Sequence, residues 1–235
     1  MFFSRLPKKY LSKQYADAMR RFLFLMMLFP VLGNTQDPNR FKKEVMHIEQ
    51  RMDSLWDSSK PVIVFTGSSS VRLWKDLEER FPEHQILNTG FGGSQSSDLE
   101  HYLNPLVIKY APVRVFIYEG DNDISDKKRP GLVFKTMERI VHVLRGQASN
   151  PEVVLISSKP SIARWRLRGK YRRLNRKLAR FATETQGVYF ADVWHPMLDN
   201  RTLKRDLFID DGLHMNSEGY DIWYGVLKDF VDFVK

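Results

Sequence analysis

A chain of 235 residues with 43% apolar and 28% charged side chains is long enough for one α/β domain and its core, with room for a short appendage. The formal charge of +9 invites a nucleic-acid partner, but six of the basic residues and a single acid fall in the first 36 positions. The remainder carries only +4, which takes away the main support for that class. The absence of cysteine excludes a disulfide framework, a thiol nucleophile, a zinc knuckle and a lipidated cysteine.

Residues 22–32 form an unbroken run of eleven, all apolar or proline, directly after Arg20 and Arg21. A membrane span needs about 20 such residues. The run instead has the length and flanks of a secretory signal, with cleavage expected around Val31, Leu32 and Gly33 and a compact signal beginning at Met19. The expected organisation is therefore a targeting segment over 1–36 and a single domain over 37–235, exported to the periplasm or the extracellular space, with no stable membrane span.

Beyond the linker, Phe41, Val45, Ile48, Met52 and Leu55 recur at four- and three-residue steps. They predict a helix with one packed face, ended by Lys60 and Pro61. Short apolar runs then predict strands at 62–66, 85–88, 113–118, 153–157 and 188–191. Amphipathic patterns predict helices at 71–80, 96–109, 132–147, 169–185 and 217–234. Alternation of this kind calls for a parallel sheet covered on both faces, a three-layer α/β/α sandwich. Within 164–180 lie nine Lys/Arg and no acid, with Leu167, Tyr171, Leu174, Leu178 and Phe181 at helical spacing. The reading is a buried stripe under a solvated basic face, with a grip on an anionic substrate or surface as the secondary one.

In such sheets ligands sit beyond the carboxyl ends of the strands, and that is where polar residues collect here. The first strand stops at Gly67 and runs into Ser68, Ser69 and Ser70. A serine in isolation there reads as a helix N-cap. Three later stretches supply what a nucleophilic serine needs. His214 is a base of suitable chemistry, and Asp211, three residues before it, can hold the same imidazole. The glycine-rich turn with Gly93, the side chain of Asn122 and the N–H of Ser69 can together bind an oxyanion. Asp121 and Asp123 read as loop and hydrogen-bonding residues, Asp210 as a brace for Asp211, and Trp165 as part of a substrate wall. His84, His101, His142 and His195 read as surface or packing residues.

At these four stretches the chain resembles the SGNH hydrolases, the superfamily of the GDSL lipases and esterases. The blocks are Gly67-Ser68-Ser69-Ser70, Phe91-Gly92-Gly93-Ser94, Gly120-Asp121-Asn122-Asp123 and Asp211-Gly212-Leu213-His214, in the family's order. The first departs from the usual Gly-Asp-Ser-Leu by placing Ser68 and Ser70 around the nucleophile position. The resemblance implies Ser69 as nucleophile, Asp211 and His214 as the rest of the triad, and Ser69, Gly93 and Asn122 as the oxyanion hole. It also implies a flavodoxin-like five-stranded sheet of order 2-1-3-4-5 and cleavage of carboxylic esters through an acyl-enzyme, with no metal and no organic cofactor. The expected substrate is a small-molecule or glycan ester with a short acyl group, acetyl on a carbohydrate being favoured. The rivals are lysophospholipase or thioesterase activity at the same serine, a metal-dependent phosphoesterase built on Asp121, Asp123, Asp210, Asp211 and His214, and a carbohydrate-binding module without catalysis.

Overall fold

The alternation seen in the sequence folds, in a computed structural model that describes residues 37–232, into five parallel strands in the order β2-β1-β3-β4-β5. The expected signal lies outside the described residues. In chain order come helix α1 (Lys42–Leu55), strand β1 (Val62–Gly67), the single-turn helix α2 (Ser69–Arg72) and β2 (Gln85–Asn88). Short helices α3 (Ser96–His101) and α4 (Leu103–Leu106) lead to β3 (Arg114–Tyr118), α5 (Asp121–Ser125) and the long α6 (Pro130–Arg145). Strand β4 (Glu152–Ile156), α7 (Arg168–Glu184) and β5 (Val188–Ala191) follow. A two-stranded hairpin, β6 (Leu198–Asp199) and β7 (Thr202–Leu203), precedes α8 (Ser217–Val231). Among the described residues no helix is long and apolar enough to cross a membrane.

The period of two along each strand divides the core into two layers. Val62, Val64, Val115, Ile117, Val153 and Leu155 pack on one face beneath α1, α6 and α7. Ile63, Phe65, Phe116, Tyr118, Val154 and Ile156 pack on the other, against Val71, Trp74, Leu77 and the buried stripe of α8. Because both faces are covered, every β3 position is buried, which is why the strands read as continuous apolar runs.

The structure alters four expectations. The pattern at 71–80 buries Val71, Trp74, Leu77 and Phe81, but the helix ends at Arg72. The buried Asn88 amide donates to the Val71 carbonyl at 2.9 Å, taking an acceptor that a longer helix would use. The single helix expected over 96–109 breaks at Tyr102, since Pro105 has no N–H for the His101 carbonyl. Leu55 is 57% exposed and α1 stops there, well before Pro61. Trp56 takes the packing role, edge-on to Tyr110 with ring centroids 5.4 Å apart. Finally, α5 and the β6–β7 hairpin have no counterpart in the sequence reading, each being too short to show a period.

The chain runs from β1 out to β2, then crosses back to β3 on the other side. That reversal opens a crevice at the carboxyl ends of β1 and β3.

Candidate active site

Gly67 ends β1 with φ 122°, and a Cβ there would stand 2.0 Å from the Tyr118 carbonyl oxygen of β3. Only glycine lets the two strand ends close up so tightly. The chain then turns, with the Ser68 N–H donating to Tyr118 O at 3.0 Å, and Ser69 opens α2. Ser68 holds the N-cap position, so the capping role considered for Ser69 does not apply. Ser68 and Ser70 are buried, while Ser69 is half-buried with its Oγ 2.9 Å from His214 Nε2. Behind the turn, the Tyr220 hydroxyl of α8 donates to the Ser70 carbonyl at 3.0 Å.

His214 lies on a tight loop closed by a bridge between Phe208 and Met215. The Asp211 Oδ1 accepts from the backbone N–H groups of Leu213 (2.8 Å) and His214 (2.9 Å), and its Oδ2 lies 2.5 Å from His214 Nδ1. The three-residue spacing is therefore held by a side-chain-stapled turn. Burial works against ionisation of Asp211, but the two N–H donors and the imidazole hold its pKa down to about 2. It stays an anion wherever a histidine base is active.

The second and third blocks close on the same crevice. The Phe91 N–H donates to the Gly67 carbonyl at 2.9 Å, seating the glycine-rich loop beside the serine turn. Gly93 has φ 73° and open space where a Cβ would stand. On α5 the Asn122 Nδ2 donates to Ser94 O at 2.8 Å, which leaves its second amide hydrogen free among the described residues. The N–H groups of Ser69 and Gly93 also have no partner among the described residues. These donors line one open cavity of about 420 Å³ together with Glu44, Arg72, Arg164, Leu213 and His214.

Sequence reasoning missed three members of this neighbourhood. Arg164 donates to Asp121 Oδ1 at 2.7 Å and to Asn122 Oδ1 at 3.0 Å, fixing which end of the Asn122 amide faces Ser94. Its place in a basic cluster hid it. Glu44, on α1, accepts from the Gly92 N–H at 2.9 Å. Lys159 is 1% exposed, donates to the Leu213 carbonyl and sits 5.4 Å from the Phe208 ring centre, so it braces the His214 loop at two points. A lysine just past the apolar run at 153–157 was its only sequence signal. Asp210, expected to be the brace, is exposed and makes no hydrogen bond among the described residues. Trp165 lies off this cavity and stacks on Trp194 with centroids 6.3 Å apart.

The carboxylates of the phosphoesterase reading turn to separate partners. Asp121 is buried against Arg164, Tyr171 and Tyr118, and Asp123 accepts from the Ser96 N–H and hydroxyl and from Lys128. Among the described residues no three His, Asp or Glu side chains converge as metal ligands. Burial alone would raise Asp121, but the charges of Lys159 and Arg164 and the Tyr171 hydroxyl hold it below the usual carboxylate range.

Burial lowers Lys159 from its ordinary 10.5 to about 8, against the pull of Asp121 and Asp211. Below about 8 both folded and unfolded chains carry this proton; between there and 10.5 the unfolded chain binds more, so stability rises with pH. Chemical denaturation of wild type and Lys159→Met across that window should show the stability difference drifting in favour of wild type. The slope is at most about 1.4 kcal/mol per pH unit. A pH-independent difference would rule out a titrating Lys159.

Among solved structures, the chain is similar to one from Streptococcus pneumonia named for platelet activating factor, with a TM-score of 0.71 and 25% identity over 82% of this chain and 95% of that one. It is also similar to a GDSL-like lipase from Bacteroides thetaiotaomicron, with a TM-score of 0.66 and 21% identity over 83% and 97% of the two chains. A catalytic mutant of an acetylxylan esterase from Geobacillus stearothermophilus gives a TM-score of 0.62 and 17% identity over 74% and 95%. The last two likenesses speak for the fold alone. No curated protein matches the chain. The profile of the GDSL-like Lipase/Acylhydrolase family matches residues 53–222, from α1 to α8, and so takes in all four loops that meet at the crevice. The chain belongs to the GDSL-like lipase/acylhydrolase family, and its general activity is ester hydrolysis.

Proposed function

We propose that the protein is a serine esterase that removes a short acyl group from a polar alcohol. The observation that carries this reading is the chain of contacts from Ser69 Oγ to His214 Nε2 (2.9 Å) and from His214 Nδ1 to Asp211 Oδ2 (2.5 Å). Ser69 Oγ attacks the ester carbonyl carbon as His214 takes its proton, and Asp211 steadies the imidazolium. The Ser69 and Gly93 N–H groups and the Asn122 amide receive the oxyanion. Its collapse breaks the ester C–O bond, and the leaving alkoxide takes the proton from His214. Water then attacks the acyl-serine with His214 again as base, releasing the acid.

The short-acyl preference rests on the cavity wall. Glu44, Arg72 and Arg164 line it, and Leu213 is its one large apolar side chain among the described residues. A long acyl chain gains about 0.8 kcal/mol for each buried CH₂, and this wall offers no trough in which to collect that gain. The polar lining supports an alcohol rich in hydroxyls, such as a sugar. Export, expected from residues 22–32, fits an acetylated glycan outside the cytoplasm.

A fluorophosphonate should label the protein at Ser69, located by peptide mass spectrometry, and a panel of p-nitrophenyl esters should favour acetyl over octanoyl by at least about tenfold in kcat/KM. Labelling at another residue would sink the nucleophile, and a preference for chains of eight carbons or longer would sink the acyl size.

A further inference from the structure

The basic stretch 164–180 is not used up by the site described above. Its first residue, Arg164, belongs to the crevice, but the next one, Trp165, lines a different and larger cavity of about 730 Å³. That cavity lies between the start of α7 and the loops after β5, and it presents Arg168, Arg172, His195 and Arg201 with no carboxylate in its lining.

Several arginines elsewhere have acidic partners. Arg80 meets Asp76 and Asp221, Arg139 meets Glu100, and Arg180 meets Glu184. Arg172 and Arg201 have no acidic partner among the described residues. Arg168 is held differently, with its guanidinium carbon 5.3 Å from the centre of the Trp165 ring and Nη1 donating to the Trp165 carbonyl at 3.3 Å. The nearby carboxylate of Asp192 is taken up by His195, so the three arginines gathered in one hollow repel one another unless an anion joins them.

Two local structures set the remaining donors. Asp192 and His195 repeat the Asp-x-x-His staple of the active-site loop: Oδ1 accepts from the N–H groups of Trp194 (2.9 Å) and His195 (3.3 Å), and Oδ2 lies 2.5 Å from His195 Nδ1. Here no hydroxyl meets Nε2, so among the described residues that nitrogen is free for a ligand. At the β6–β7 turn Asn200 takes the left-handed region (φ 53°), and the turn sets Asn200 and Arg201 against the cavity.

We infer that this cavity is a binding subsite for a sugar-sized anion, whose carboxylate, sulfate or phosphate is gripped by Arg172, Arg201 and Arg168 with His195 beside them. A volume of 730 Å³ suits a ligand of one or two sugar rings, whereas a bare inorganic ion would leave most of it empty. The placement relative to the crevice gives the subsite its use. Arg164 and Trp165 are consecutive, and the Ala163 N–H donates to the Gly212 carbonyl of the His214 loop at 2.9 Å, so one loop borders both cavities. Resting on the esterase reading, the inference assigns the anion to the substrate: the ester is carried by an acidic glycan whose charged unit lies in this second cavity.

The test is calorimetric titration of Ser69→Ala protein, which holds substrate without turnover, with trigalacturonate, with glucose 6-phosphate and with neutral maltotriose. At least one anion should bind about tenfold or more tighter than maltotriose, and the arm that does so tells carboxylate from phosphate. Adding Arg172→Ala and Arg201→Ala should erase that preference. Adding Arg173→Ala and Lys177→Ala, which lie on another side of α7, should leave it within about twofold. Equal loss in both variants would show a diffuse positive field, and no anion preference in the parent would show no site; either overturns the inference. Hydrolysis of p-nitrophenyl acetate by the wild-type enzyme, with Ser69 intact, separates the two readings. With both arginines kept, p-nitrophenyl acetate hydrolysis by the wild type beside no anion preference in Ser69→Ala defeats only the subsite, and an anion preference in Ser69→Ala beside no hydrolysis by the wild type defeats only the esterase.

Discussion

Ser69→Ala is expected to lower kcat for p-nitrophenyl acetate by on the order of 10⁴-fold or more, whereas Ser68→Ala and Ser70→Ala keep activity within about tenfold. The reasoning is geometric. Three hydroxyls follow Gly67, but the half-buried Ser69 is the one whose Oγ reaches His214 Nε2. Ser68 and Ser70 are buried on either side of it, and their removal disturbs packing at the turn instead of chemistry. Whatever Ser69→Ala retains reflects the oxyanion donors and substrate binding, which persist without a nucleophile. Thermal melts of the three variants separate rate from folding. Wild-type kcat in Ser69→Ala would refute the nucleophile assignment outright.

Asn122→Ala is expected to cost on the order of 10²–10³ in kcat with little change in KM. The asymmetry follows because the amide's free hydrogen bonds strongly only to the oxyanion, which exists after attack and not in the bound ester. The same substitution leaves Arg164 bound to Asp121 at 2.7 Å, so the buried carboxylate keeps its cation and the fold should hold. Arg164→Ala provides the contrast. It leaves Asn122 tethered only to Ser94 O and strips Asp121 of its ion pair, so a smaller fall in kcat should accompany a clear loss of stability. Steady-state kinetics beside urea unfolding curves distinguish the two signatures. A rise in KM at constant kcat for Asn122→Ala would place this amide in substrate binding instead.

Much of the architecture was legible because buried strands advertise themselves. Strands 85–88 and 188–191 appear with the predicted bounds, and the others within a residue or so, since each is an apolar run closed by polar residues. Helix bounds were legible where a long amphipathic period runs unbroken, as for α6 and α7. They failed where a distant group intervened. The Asn88 amide that takes the Val71 carbonyl belongs to another strand, and no local pattern around 71–80 reports it.

The candidate site divides in the same way. Glycine, serine, asparagine and the Asp-x-x-His pair could be picked out because their roles need particular residue types at strand ends, and those ends can be read from periodicity. Arg164, Lys159 and Glu44 could not, because arginine, lysine and glutamate are common on surfaces and only burial shows which ones face inward. The second Asp-x-x-His, at Asp192 and His195, was in plain view yet had no serine block to give it meaning. Its context is the cavity between α7 and the β6–β7 turn, which exists only after folding.

By itself, then, the sequence determined the layered α/β class, the family and the four loops that meet at the candidate site, because strand burial and motif order are local properties. Tertiary structure alone decided which of three adjacent serines reaches the histidine, which cations are buried against Asp121 and the His214 loop, and that unpaired arginines share a hollow next door. The first two depend on contacts between residues 43 to 145 positions apart and the third on residues brought together across two elements, and such separations leave no period in a chain.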